Sequence, residues 1–181
     1  ANDFIELFND SAAAFDLDGL SVQYASATGA SWQATVLSGL LAPYGYYLIA
    51  EDTGTAGDGA PLPAPDASDD INLSAANGKV ALVNDSDPLT TACPGASVLD
   101  LSGYGTANCF EGTAATGGLS STVAALRLTG GFTDSNDNFS DFALLAPSPR
   151  NSASPQNLPA DNDQEDADAE PLPEPPVALL A

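Results

Sequence analysis

The 181-residue chain carries 25 acids against three bases, no histidine, and a formal net charge of −22. Recognition of phosphate backbones and anionic lipid rests on Lys and Arg, so direct nucleic-acid binding and unaided docking on an anionic membrane are not expected. Lack of histidine also removes the usual neutral-pH base, and no other residue pattern replaces it.

A hydrophobic share of 44% is enough for one domain with a core. Charge is uneven: residues 1–150 hold eighteen acids and all three bases (Lys79, Arg127, Arg150), and residues 151–181 hold seven acids and no base. Such acidity suits solubility, secretion, high salt or divalent cations as partners.

The chain opens "ANDFIEL", without a basic stretch or apolar run of the kind that marks a signal peptide. "FIELF" (4–8) is the first candidate strand; Ile5 and Leu7 alternate with Phe4, Glu6 and Phe8. "LSVQY" (20–24), "QATVL" (33–37) and "YYLIA" (46–50) follow, separated by "NDSAAAFDLDG", "SATGAS" and "APYG". Glycines in "LDG", "PYG" and "GYG" mark reversals that need positive φ. Residues 52–70 are too rich in Gly, Pro and Asp for a central strand and predict a long surface loop. "KVALV" (79–83), "SVLDL" (97–101) and "VAALRLT" (123–129) complete the set. The period of two predicts strands with one wet face, and no twelve-residue window carries a helical stripe with caps. Seven or eight short strands at this spacing predict an all-β antiparallel sandwich or barrel over residues 1–152. From about Asn151 the chain turns acidic and Pro-rich, which predicts a disordered, extended linker over 153–181. It ends in "VALLA" (177–181), which reads either as a docking strand or as the start of a further segment. No stretch approaches the ~20 apolar residues that span a bilayer.

Site chemistry concentrates in "GGFTDSNDNFSDF" (130–142). Asp134, Asn136 and Asn138 match positions one, three and five of an EF-hand loop, but Phe139 stands at six and Leu145 at twelve, which excludes that motif. Two readings remain. One is an Asx-turn network in which side chains hold the reversal, with the acids also serving Arg127. The other is a calcium site of a different kind, built from Asp134, Asn136, Asn138 and Asp141 with backbone carbonyls. Calcium is the only cofactor the residues suggest. Arg127 lies in an apolar strand and needs a carboxylate partner, for which Asp137 or Asp141 is expected. No catalytic residues are assigned. Asp3 and Glu6 alternate to opposite sides of a strand, so they do not form a hydrolase pair. No G-x-S-x-G elbow or phosphate loop occurs. Cys93 and Cys109, without histidine, are a poor zinc set. Composition favours a disulfide over two buried thiols, and hence an oxidising compartment.

Several stretches in order resemble the bacterial lamin-tail domain: "NDFIELFN", "FDLDGLSVQYA", "SW", "LSGLLAPYGYYLIAE", "LSAANGKVALVN", "TACP", "VLDLSGYGTANCFEG", "AALRL" and "GGFTDSNDNFSDFALLAPSPRNS". The resemblance covers most of residues 2–155. It implies an immunoglobulin-like sandwich and a Cys93–Cys109 pair. It also implies a secreted or envelope-associated protein, as in extracellular bacterial nucleases and surface proteins. Two departures stand out. The family's usual first strand, of the type "VVISEVY", is not seen before Asn2: either the sequence is clipped there, or another strand fills the open sheet edge, which "VALLA" could do in cis or in trans. After "PRNS" comes an acidic Pro-rich tail whose "EPLPEPPVALLA" resembles the opening of a Pro-Glu-Pro sorting signal. Three functions are compatible. The first is a non-catalytic accessory module with an unknown protein or surface partner. The second is an N-terminal appendage of a secreted nuclease or other hydrolase. The third is a fibre subunit assembled by strand donation from residues 177–181.

Overall fold

A computed structural model describes residues 2–53, 61–159 and 177–180. In chain order the strands are β1 (Asn2–Phe8), β2 (Phe15–Asp16), β3 (Ser21–Ser26), β4 (Gln33–Val36), β5 (Leu40–Leu41), β6 (Tyr46–Thr53), β7 (Ala67–Ser68), β8 (Gly78–Val83), β9 (Val98–Tyr104), β10 (Ala124–Arg127), β11 (Phe142–Leu145) and β12 (Val177–Leu180). The helical element among them is one turn, α1 (Asn138–Asp141), besides a tight 3-10 turn at Leu128–Gly131. The protein is therefore all-β. The strands expected at 4–8, 20–24, 33–37, 46–50, 79–83, 97–101 and 123–129 are β1, β3, β4, β6, β8, β9 and β10.

Two four-stranded sheets face each other, in the orders β12-β1-β6-β7 and β4-β3-β8-β9. All pairings within them are antiparallel except β6 with β7. Ile5, Leu7, Tyr47 and Ile49 from the first sheet meet Val22, Tyr24, Val80, Leu82 and Tyr104 from the second in one core. The alternation of these positions is what puts them on a shared inner face. The β10–β11 hairpin carries Ala125 and Phe142 into the same core.

The outer faces are not wet, contrary to the expectation from alternation. Glu6 and Phe8 are fully buried, as are Lys79, Ala81 and Val83. On the outside of the first sheet, Leu62, Ala124 and Leu126 pack on Phe4 and Leu48, and Arg150 reaches Glu6 and the Tyr46 ring; along its edge, Asp66 accepts from the Leu48 N–H at 2.8 Å. Trp32, Cys109 and Leu89 cover the outside of the second sheet, against Ala25, Ala81, Val83 and Leu101. A one-residue alternation cannot report this, because the covering segments are irregular and distant in sequence.

The reversal at "APYG" also differs from expectation. Tyr44, not Gly45, takes the left-handed conformation (φ 52°). Gly45 serves instead by having no side chain, since a Cβ there would stand 3.0 Å from the Ala42 carbonyl oxygen.

Residues 153–159, assigned on composition to the linker, bond back to the sandwich. The Asn157 N–H donates to the Tyr44 carbonyl at 2.9 Å, and Gln156 Nε2 donates to the Pro43 carbonyl at 2.7 Å. The remainder of the expected linker, 160–176, and the 54–60 part of the expected loop lie outside the described residues. Val177–Leu180 forms β12, antiparallel to β1, with Leu7 opposite Val177 and Phe4 opposite Leu180. Among the described residues no helix is long and apolar enough to cross a membrane.

Candidate functional site

The acid loop begins where β10 ends. Asn136 takes the left-handed conformation (φ 55°), with its N–H bonded to Asp134 Oδ1 at 3.1 Å. Asp137 caps α1: its Oδ1 accepts from the Phe139 N–H at 3.2 Å and from the Thr113 N–H at 3.0 Å. The Thr113 bond is the foremost cause holding its carboxyl below the usual range. Asn138 is fully buried. Its Oδ1 accepts from the Gly103 and Glu111 N–H groups at 2.8 and 3.2 Å. Its Nδ2 donates to the Leu101 carbonyl at 2.9 Å and to Glu111 Oε2 at 3.2 Å. Asp141 accepts from Ser135 Oγ at 2.6 Å and from the Ser135 and Asp137 N–H groups at 2.9 and 3.0 Å. Burial works to raise the Asp141 carboxyl, but these bonds and Arg127 together hold it low.

Arg127 sits at the centre of this loop, buried. Its Nη2 donates to Asp100 Oδ2 at 2.8 Å, and Nη1 lies 2.9 Å from Asp134 Oδ1 and 3.9 Å from Asp141 Oδ2. Its guanidinium also stacks 4.7 Å from the Phe142 ring. The pairing expected with Asp137 is thus replaced by Asp100 and Asp134, because Asp137 is turned to the backbone of Thr113 and Phe139. Of the four residues considered for calcium, Asp134 and Asp141 face a guanidinium, and Asn138 bonds two backbone amides with its oxygen. Among the described residues no group of three or more His, Cys, Asp or Glu side chains is placed to hold a metal ion.

Asp100 went unrecognised in the sequence. It occupies the inward register of β9, opposite Leu82, so it faces the space between the sheets. An acid inside an apolar strand carries the same signal as Arg127 inside its own, and the two answer each other.

The other two cations are also drawn inward. Arg150 reaches Glu6 with Nη2 at 2.7 Å and Nε at 3.2 Å, and its backbone N–H donates to Glu6 Oε2 at 2.5 Å. Arg150 Nη1 donates to the Tyr46 hydroxyl, and its guanidinium lies 3.7 Å from that ring. Burial raises the Glu6 carboxyl more than Arg150 lowers it. Lys79 Nζ donates to the Gly29 and Ala92 carbonyls at 2.8 and 2.5 Å and to Asn108 Oδ1 at 3.0 Å. It lies 5.3 Å from the Trp32 ring, and burial pushes its ammonium down. The same loops are joined by the Cys93–Cys109 disulfide, with Cα atoms 5.2 Å apart.

Of the buried carboxylates among the described residues, Glu51 has no cation beside it. Glu51 is buried at the end of β6, accepting from Thr35 Oγ1 at 2.6 Å and from the Ile71 N–H at 3.2 Å. Burial, with Asp69 and Asp3 nearby, pushes its carboxyl up to about 7. A shallow cavity of about 240 Å³ lies against the β10–β11 hairpin, lined by Leu126, Leu128 and Leu145 and bordered by Arg127 and Arg150. Both arginines already hold carboxylates.

Neither family models, nor curated proteins, nor solved structures match this chain.

Proposed function

We propose that residues 1–152 form a lamin-tail-type, immunoglobulin-like module that works outside the reducing cytosol, in the extracellular space or a bacterial envelope. Its role is non-catalytic: binding, spacing or surface assembly within a larger protein. The observation that carries this reading is the disposition of charge. Lys79, Arg127 and Arg150 are all bound to internal acceptors, whereas Asp16, Asp18, Asp69, Asp70, Asp85 and Asp87 face solvent. An outward surface of one sign repels polyanions and other copies of itself, and it stays soluble at high concentration. The Cys93–Cys109 bond supports the oxidising compartment, and the ordered run of lamin-tail-like stretches supports the family.

The test is fractionation of the source cells with thiol alkylation before and after reduction. Recovery in the secreted or envelope fraction, with Cys93 and Cys109 alkylated only after reduction, is the expected result. Cytosolic protein with both thiols free would overturn the reading.

A further inference from the structure

The position of β12 points to an interaction surface. β1 is paired with β6 along one edge and with β12 along the other. β12 also lies alongside β10 and comes close to β8 and β9. The place it occupies is therefore a slot between β1 and the β10–β11 hairpin, floored by the second sheet. Its β1 wall is deeply buried, with Phe4, Ile5, Glu6 and Leu7 between 0 and 4% exposed. The strand that enters it, Val-Ala-Leu-Leu, carries no charge in a chain of net charge −22. Main-chain bonding to an edge supplies the affinity in such an arrangement, and registration of the apolar run sets its position.

Seventeen residues, 160–176, link the last residue of the sandwich segment to β12. Their contour reaches at most roughly 65 Å, whereas a domain of about 150 residues is only about 40 Å across. The connection is thus long enough for β12 to enter the slot of a neighbouring molecule. Nothing in the slot distinguishes the segment of its own chain from the same segment of another.

We propose that the β1–β10 slot is a strand-acceptor site, and that its occupant in the assembled state is residues 177–180 of a second copy of this chain. Occupation in cis and in trans uses the same bonds, so concentration decides between them. The intramolecular strand competes at an effective concentration of about millimolar. Exchange is also opposed by repulsion between acidic molecules, which salt screens. A donor entering a neighbour's slot makes a head-to-tail contact, giving closed dimers when reciprocal and open chains otherwise. The inference does not depend on the compartment or the family proposed above.

The test is refolding of the full chain from denaturant, with the disulfide intact, at micromolar and near-millimolar protein and at low and about 0.5 M salt. Light scattering and native mass spectrometry on a mixture of isotope-labelled and unlabelled chains follow the products. Mixed-mass dimers or longer species are expected at high concentration and high salt, and an 18.2 kDa monomer at low concentration. Ala178→Pro, which removes the backbone donor that faces Glu6 on the β1 edge, should abolish the assemblies. A synthetic peptide of residues 171–181 in excess during refolding should suppress wild-type assembly, and the same peptide with proline at 178 should not; this arm needs no folded variant. Monomer under every condition would overturn the proposal. So would assembly that persists in Ala178→Pro or is indifferent to the peptide.

Discussion

At the scale of single residues, the acid loop is held by bonds that side chains make to backbone. Asn138 is the clearest case, since all of its polar groups are buried and engaged with β9 and the segment around Glu111. Asn138→Ala would strand two amides and a carbonyl, and should lower stability by about 2–4 kcal/mol in urea unfolding. Arg127→Ala leaves Asp100 and Asp141 buried without their guanidinium and should cost about 3–5 kcal/mol by the same measurement. Glu51 tests the electrostatics. Its folded carboxyl titrates near 7 against 4.5 as reference. Between those values the folded state binds more protons than the unfolded one, so its stability contribution falls as pH rises. Glu51→Gln should therefore flatten the loss between pH 5 and pH 8 by roughly 1–2 kcal/mol once solvent screening is allowed for.

At the scale of elements, irregular segments rather than strands finish the sandwich. The loops 26–31 and 88–97 have no ladder to hold them, and are fixed by Lys79, by Trp32 Nε1 donating to the Thr91 carbonyl at 2.8 Å, and by the disulfide. Replacing both cysteines by serine should cost roughly 3 kcal/mol, the chain-entropy value for a loop of this length. Hydrogen exchange should locate the loosening at residues 88–97, with β3 and β8 still protected. Retained protection at 88–97 would show that the bonds from Lys79 and Trp32 suffice without the disulfide. The segment 146–159 is a second such cover, anchored by Arg150 to Glu6 and by Ser152 to Asp66.

At the scale of the molecule, the opposing titrations define a stability window. Glu6, Glu51, Asp3 and Glu111 are all raised chiefly by burial, so their contribution is lost as pH rises, for Glu51 between 4.5 and about 7. Asp137 and Asp141 are lowered, so theirs is present above 3.8 and lost as pH falls through their folded values. The melting temperature should therefore peak at mildly acidic pH and decline on both sides. A peak at or above pH 8 would contradict the burial argument. A net charge of −22 adds self-repulsion at neutral pH, so raising salt from 10 mM to 0.5 M should also raise the melting temperature.

What the amino-acid order determined by itself was local. Alternating apolar residues and Gly, Asn and Asp reversals were enough for β1, β3, β4, β6, β8, β9 and β10, because strand formation answers to neighbours two residues apart. The two-residue strands β2, β5 and β7 carry too few positions to show a period. β11 was hidden because Phe-Ala-Leu-Leu is a short unbroken apolar run that shows no alternation. The candidate site was legible in part. Arg127 announced itself as a cation in an apolar strand and the 134–141 loop as a run of turn formers, whereas Asp137 was expected on Arg127 and instead caps α1. Tertiary structure decided the partners. Asp100 lies 27 residues from Arg127, and Glu6 lies 144 from Arg150. Only the pairing of sheets brings such groups within 3 Å, since burial and low dielectric select a partner by position in space and not by distance along the chain.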